Sequence, residues 1–325
     1  MSCPHLTKDD RICLGALLRA WHSIRDCARL LGFSPSCISK EITRNGGRDK
    51  YNPHQAHKRY LSLRKEANQH CRVLGKDQLI TDLVVTLLEL KWSPEQIVGR
   101  IEYELGERLV SIASIYNYAN NDKVLCKLLP RKHNKYRRTK AGNDRKKARE
   151  ASDMRKSIEQ RPEAVNQRKR TGDFEGDTMI GKEKTVRILT HVDRKCGFLL
   201  ADMLYDVTAE KISLKTIKAF IDIPDNKKHT ITYDRGCEFA DFERTEKQTQ
   251  MDIYHAHAYC SWERGTNENT NGLIRRYYPK GTLFANIKEE ELEDVVKQIN
   301  HRPRKRLGYK SPYEEFCGVN IRILM

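Results

Sequence analysis

The period of the apolar pattern changes near Thr171, and that change limits what the chain can fold into. Upstream, apolar residues recur at helical spacing behind Ser and Thr caps. Downstream, short runs rich in Val, Ile, Phe and Tyr take over. Three strands are predicted first, at 174–180, 186–192 and 197–204, the last two as a hairpin turned by Asp193-Arg194-Lys195-Cys196. A helix at 209–220, a strand at 230–233, a helix at 238–248 and a strand at 253–256 follow, then helices at 267–277 and 288–301. Three strands and then alternating helix and strand imply a mixed α/β sheet covered by helices. The fold class is therefore multidomain, all-α first and α/β second.

The first 65 residues carry a helix-turn-helix spacing. Thr7 caps a helix with Asp9 and Asp10 in its first turn and Ile12, Leu14, Leu17 and Leu18 as its apolar face. A second helix runs over 23–31, and Gly32 ends it. Ser34-Pro35 then starts a third, with Ile38 and Ile42 turned inward. Its outward residues, Ser36, Ser39, Lys40, Thr43 and Arg44, are the candidates for major-groove contact.

Residues 66–130 form a second helical domain. An apolar helix at 79–90 is followed by Trp92-Ser93-Pro94-Glu95-Gln96, which repeats the Ser-Pro start and places Gln96 for a capping box. Ile97, Ile101, Ile112, Ile115 and Tyr116 supply its apolar positions. The unit is either a second helix-turn-helix or a helical spacer.

Charge separates the two halves. Residues 1–170 hold 36 Lys+Arg against 19 Asp+Glu, whereas 171–325 hold 25 of each, so the net +17 lies wholly upstream. A positive field confined to one region attracts a polyanion, and double-stranded DNA fits best. Within a basic linker, 131–170, ten Lys/Arg fall between residues 131 and 149, and phosphate contact is expected there, Arg137 and Arg138 included. A membrane partner is not expected, since the chain lacks an amphipathic basic helix, a lipidation motif and an 18-residue apolar run. The ten cysteines contain no C-x-x-C pair, which excludes zinc-ribbon and zinc-finger spacings. A soluble, cytoplasmic chain with reduced thiols is expected.

Three acids stand in unusual contexts: Asp177 in Gly172-Asp173-Phe174-Glu175-Gly176-Asp177, Asp234 in Thr232-Tyr233-Asp234-Arg235-Gly236, and Glu268 in Arg264-Gly265-Thr266-Asn267-Glu268-Asn269. The first lies in or at the end of a predicted strand, and the second lies beyond a strand end, where ligands of α/β sheets gather. Glu268 opens a helix of poor helix formers, a conflict between local preference and structure that marks a site. On that helix Glu268, Asn271 or Gly272, and Arg275 share one face, with Arg275 placed for a phosphate. Converging carboxylates make a site for Mg²⁺, with Mn²⁺ as a substitute, and hence for phosphodiester chemistry. Asp173, Glu175, Asp193, Glu238 and Glu263 are rival acids in the same segments.

These segments resemble the insertion-sequence-thirty family of bacterial transposases, within the DDE group, over almost the whole chain. The resemblance rests on Glu175-Gly176-Asp177, Asp234-Arg235-Gly236 with Glu238-Phe239-Ala240, and Arg264 through Gly272. It continues through Tyr278-Pro279-Lys280-Gly281-Thr282 and Asn300 through Gly308, and upstream through Ser34-Pro35-Ser36 and Trp92 through Ile97. It implies a ribonuclease-H-like catalytic domain over 171–325 with Asp177, Asp234 and Glu268 as catalytic and metal-binding triad. It further implies binding of terminal inverted repeats, metal-dependent strand cleavage and strand transfer into a target, and a homo-oligomer on DNA at the bacterial nucleoid. A non-catalytic DNA-binding regulator derived from such an enzyme is the alternative. Phe174, Asp173, Cys37 and Ile112-Ala113-Ser114 depart from the family's usual Trp, His, Thr and more polar residues.

Overall fold

A computed structural model describes residues 5–70, 73–130, 155–257 and 260–322. The chain divides into two compact units, Met1–Gln78 and Leu79–Met325.

In the first unit, α1 (Lys8–Arg19), α2 (Ile24–Leu31) and α3 (Pro35–Arg44) precede the long α4 (Pro53–His70). Thr7 and Asp10 close a capping box on α1, while Ser23 and Ser34 cap α2 and α3. Gly32, at φ 71°, makes the left-handed turn between α2 and α3. Leu14, Leu18, Cys27, Ala28, Ile38 and Ile42 form the core. One sequence expectation needs correction: Ile12 is exposed, and Arg11 takes the inward place beside it. Arg11 manages this because Glu41 accepts its Nε at 2.6 Å and the Leu6 carbonyl its Nη1 at 2.6 Å.

The second unit opens with α5 (Gln78–Glu89), α6 (Pro94–Leu105), α7 (Ile112–Asn120) and the short α8 (Leu125–Leu128). After α9 (Glu163–Asn166) comes the sheet: β1 (Asp173–Ile180), β2 (Arg187–Asp193) and β3 (Leu199–Leu204). Then follow α10 (Ala209–Ala219), β4 (Thr230–Tyr233), α11 (Phe242–Thr249), β5 (Asp252–His255), α12 (Gly265–Ile274), α13 (Glu289–His301) and α14 (Pro312–Cys317). The helix predicted over 238–248 is shorter than expected, a 3₁₀ turn at Cys237–Phe239 preceding α11.

The strand order is β3-β2-β1-β4-β5, antiparallel from β1 to β3 and parallel from β1 through β4 to β5. This is the mixed sheet expected of a ribonuclease-H-like domain. One face carries Phe174, Leu189, Ile231, Tyr233 and Ile253 with Ile212, Phe220 and Phe316 from the helices. The other carries Met179, Ile188, Val192 and Leu199 with Ile274, Phe284, Leu292 and Ile299. Each face buries its own apolar layer, so the sheet is a rigid platform for whatever its strand ends present.

The α5–α8 helices are tied to the same unit by α6. Its Gln96 completes a capping box with Ser93, receives the Arg302 Nε at 2.8 Å and donates to the Pro303 carbonyl at 2.8 Å. A Cβ on Gly99 would lie 2.2 Å from the Tyr309 ring, so only glycine lets that ring lie flat on the helix. Arg100 is fully buried. Glu314 takes its two terminal nitrogens at 2.7 and 2.9 Å, Glu104 its Nε at 2.5 Å, and the carbonyls of Tyr309 and Ile321 accept further bonds.

Candidate active site

Strand pairing brings the first two acids together. Glu175 on β1 stands opposite Thr232 on β4 in parallel register. Two residues on, Asp177 and Asp234 are neighbours, at the point where β4 has ended and its chain turns away. Alternation along β1 sends Glu175, Asp177 and Met179 to the α12 face, and Phe174 and Gly176 to the other. Gly176 is required there: a Cβ would meet the Tyr233 ring at 2.1 Å. The Tyr233 hydroxyl is itself held to His191 Nε2 at 2.9 Å. Burial drives that imidazole down to about 3, so it is neutral and serves as a fixed buttress.

A single guanidinium spans the two aspartates. Arg264 Nη1 lies 3.2 Å from Asp177 Oδ1, and its Nη2 lies 2.9 Å from Asp234 Oδ2. The same Nη1 donates to the Gly176 carbonyl at 3.2 Å. The second oxygen of each aspartate has a neutral donor. Asn271 Nδ2 reaches Asp177 Oδ2 at 2.9 Å, and the Gly236 N–H reaches Asp234 Oδ1 at 2.9 Å. Burial pushes the Asp177 carboxyl up, Arg264 pulls it back, and the charge of Asp234 pushes it up again. The pair is thus short of positive charge by its own composition, and Arg264 supplies it.

The poor helix formers of α12 have specific work on its sheet face. Glu175, fully buried, takes the Asn267 N–H on Oε2 at 2.8 Å and the Arg194 guanidinium on Oε1 at 2.5 Å. Thr190 on β2 bonds the side-chain oxygens of Asn267 at 3.1 Å and Asn271 at 3.4 Å. Short amides fit where longer helix formers would push α12 off β1. Glu175, a rival acid in the sequence, therefore anchors the start of α12.

The third acid is placed differently. Glu268 lies one turn beyond Arg264 on α12 and is exposed. Among the described residues, no group of three His, Cys, Asp or Glu side chains is arranged to hold a metal ion. The structure thus brings Asp177 and Asp234 together around Arg264 without drawing Glu268 into a three-carboxylate cluster. Arg275 is half-buried, its Nη2 donating to the Ile180 carbonyl at 2.7 Å and its Cζ 5.3 Å from the centre of the Phe284 ring. Of the other rivals, Glu238 sits at the rim, paired with Arg187 at 3.2 Å. Its Oε2 and Asp234 Oδ1 flank Gly236 so closely that a Cβ there would lie 2.6 and 2.8 Å from them.

Residues 2–45 match the helix-turn-helix domain family. The chain is 35% identical over 320 residues to the transposase of insertion sequence element IS4351 from Bacteroides fragilis, covering 97% of this chain and 96% of that one. It is also 35% identical over 321 residues to the InsI transposase of IS30A from Escherichia coli strain K12, covering 95% and 82%. The catalytic core domain of BIV integrase overlays 46% of the chain at 16% identity with a TM-score of 0.37. The chain belongs to the insertion-sequence-thirty family of transposases. The family match from end to end covers both units.

In this transposase the sequence-assigned reading face of α3 is largely open: Ser36, Lys40, Thr43 and Arg44 are exposed and Ser39 is half-buried. Arg137 and Arg138, with the rest of the 131–149 run, lie outside the described residues. Among the described residues, no helix is long and apolar enough to cross a membrane. The eight described cysteines are free thiols. The main residue that sequence reasoning missed is Arg264. It stands in the segment quoted around Glu268, but no local signal marks it as the cation shared by two distant aspartates.

Proposed function

We infer that the chain is a DNA transposase that binds the terminal inverted repeats of its element, cuts there, and joins the freed 3′-hydroxyls to target DNA. The observation that carries this reading is the Asp177–Asp234 pair sharing one cation at the strand ends, in a chain of the transposase family. One oxygen from each carboxylate faces the shared charge, and an anionic, oxygen-only donor pair suits Mg²⁺, with Mn²⁺ as a substitute. Asp177, Asp234 and Glu268 would hold it, Glu268 from the exposed edge of α12. A divalent ion bound there would supply the charge that makes water or a hydroxyl nucleophilic and steadies the departing oxygen.

The chain's own residues do the rest. Asn271 and the Gly236 N–H fix the orientation of the aspartates, and Glu175 fixes α12 against β1. The face of α3 with Ser36, Ser39, Lys40, Thr43 and Arg44 reads the element end, and Arg275 and the 131–149 run, Arg137 and Arg138 among it, take phosphates. Two ends must be held at once, which favours a homo-oligomer on DNA, working at the nucleoid in the cytoplasm.

The test is a labelled duplex bearing the inverted repeat that flanks the chain's own gene, incubated with Mg²⁺ or Mn²⁺. Wild type should nick the end and form joined products, and Asp234→Asn should do neither. Equal, background cutting by both, with the end still bound, would replace this reading by that of a non-catalytic regulator.

A further inference from the structure

We propose that Arg264 is the resident counter-ion of the Asp177–Asp234 pair, holding the two carboxylates poised until a divalent ion takes its place. The proposal rests on the reading that these aspartates hold a metal.

Three features of the contact support it. First, the division of labour among the four carboxylate oxygens is regular. Arg264 takes one oxygen of each aspartate, and neutral donors, Asn271 Nδ2 and the Gly236 N–H, take the other. Withdrawing the guanidinium frees Asp177 Oδ1 and Asp234 Oδ2 together and leaves both carboxylates oriented. Second, Arg264 is incompletely satisfied: its Nε is buried and has no hydrogen-bond partner among the described residues. Arg100 in the same unit, by contrast, places all five of its N–H donors. Third, Arg264 is the last residue of a 3₁₀ turn, Ser261–Arg264, and immediately precedes α12, so its side chain can swing without unwinding the helix. Its neighbour Trp262 is 73% exposed, so the turn itself is only lightly packed on its outer side.

Two like charges side by side repel, and a cation between them removes that repulsion. Arg264 does this without the loss of translational freedom that capturing a free ion entails, since it is already part of the chain. It also competes with any ion for the same two oxygens, which lowers metal affinity in the free protein. Once displaced, its charge lies beside the strand ends, where a DNA phosphate would offer it a new partner. Arg264 is thus a positioning residue that couples the metal-ready state of the aspartates to the arrival of ion and DNA.

The experiment measures Mn²⁺ binding to the full chain without DNA by titration calorimetry, together with the rise in Tm on adding Mn²⁺. Arg264→Gln removes the charge but keeps a polar side chain of moderate length. It should melt lower than wild type without metal and bind Mn²⁺ about tenfold tighter, with a larger Mn²⁺-dependent rise in Tm. Arg264→Lys, whose single ammonium cannot fork across both acids, should fall between the two and decides the matter if the glutamine variant does not fold. Affinity equal to or weaker than wild type in the variants that fold would make Arg264 a structural tie and overturn the proposal. Absence of Mn²⁺ binding in wild type and variants alike, or binding that survives Asp234→Asn, would instead overturn the metal reading of the site.

Discussion

The helices α3 and α6 begin with the same signal and end in different trades. Ser34-Pro35 starts one and Ser93-Pro94 the other, and each serine accepts the N–H three residues on. Counted from those caps, Ile38 matches Ile97 and Ile42 matches Ile101, and all four are buried. The outer positions then part. Lys40, exposed on α3, corresponds to Gly99, whose missing Cβ admits the Tyr309 ring. Glu41, which holds Arg11 within its own three-helix core, corresponds to Arg100, which reaches across to Glu314 on α14. A cap and two inward isoleucines therefore specify a helix and its inner face only. What the helix is for is written on the remaining positions: polar and open on α3, committed to the catalytic domain on α6. If the α5–α8 helices also read DNA, one open polar face is that of α7, where the cap Ser111 and Ala113, Ser114 and Asn117 are exposed.

The largest expected effect breaks this contrast at Arg100. Arg100→Ala leaves Glu314 buried and unpaired and should cost the second unit about 3–5 kcal/mol. Hydrogen exchange during urea unfolding reads the two helices separately. Amides of α6 and α14 should lose protection at lower urea, and those of α3 should not shift. Equal loss in both helices would show that α6 is no more committed to its surroundings than α3.

The same pair gives a pH dependence of intermediate size. Burial by itself would raise the Glu314 carboxyl, but Arg100 and the backbone N–H groups of Ser311 and Ile321 outweigh it and hold the group at about 2, below its ordinary 4.5. A carboxyl depressed on folding stabilises fully above its unfolded value and loses that contribution as pH falls toward its folded one. The stability difference between wild type and Glu314→Gln should accordingly be constant above pH 4.5 and shrink between pH 4.5 and about 2. A difference that does not change over that window would remove Glu314 as the charged partner of Arg100.

How far the sequence reveals this molecule follows the same division. Periodicity located β1, β2, β3, β4 and β5 to within a few residues, because each strand is buried on one or both faces. Caps located α1, α3 and α6, because a serine or threonine before a helix satisfies donors whatever surrounds it, and Gly32 marked the end of α2. Strand-end placement pointed to Asp177 and Asp234, which the β1–β4 register does bring side by side. Residues whose role depends on a distant partner were not legible. Arg11 reads as a surface charge until Glu41 is beside it, 30 residues away. Arg100 and Glu314 are 214 residues apart, and nothing local in either segment names the other. Arg264 stood within the quoted motif, yet its function as the shared cation needs two strands and a turn to be assembled first.

The smallest effect on folding, and the one that sharpens the contrast most, lies on the open face of α3. Lys40 and Arg44 are exposed, and neither side chain helps to fill the core, so the double change Lys40→Ala with Arg44→Ala should move stability by less than about 0.5 kcal/mol. Its effect belongs to binding. If each residue neutralises one phosphate or base-edge acceptor, affinity for the cognate end falls, and the slope of log affinity against log salt becomes shallower by up to about 1.8. On α6 the first-turn residues Glu95 and Gln96, which match Ser36 and Cys37 of α3, point to Lys305, Arg302 and the Pro303 carbonyl instead. Glu95→Ala should therefore leave the salt slope where it was, since the only charge it releases is that of Lys305, already at the surface. A double α3 variant with an unchanged slope, measured by anisotropy on the same labelled end from low to moderate salt, would move DNA reading away from α3 and toward α7.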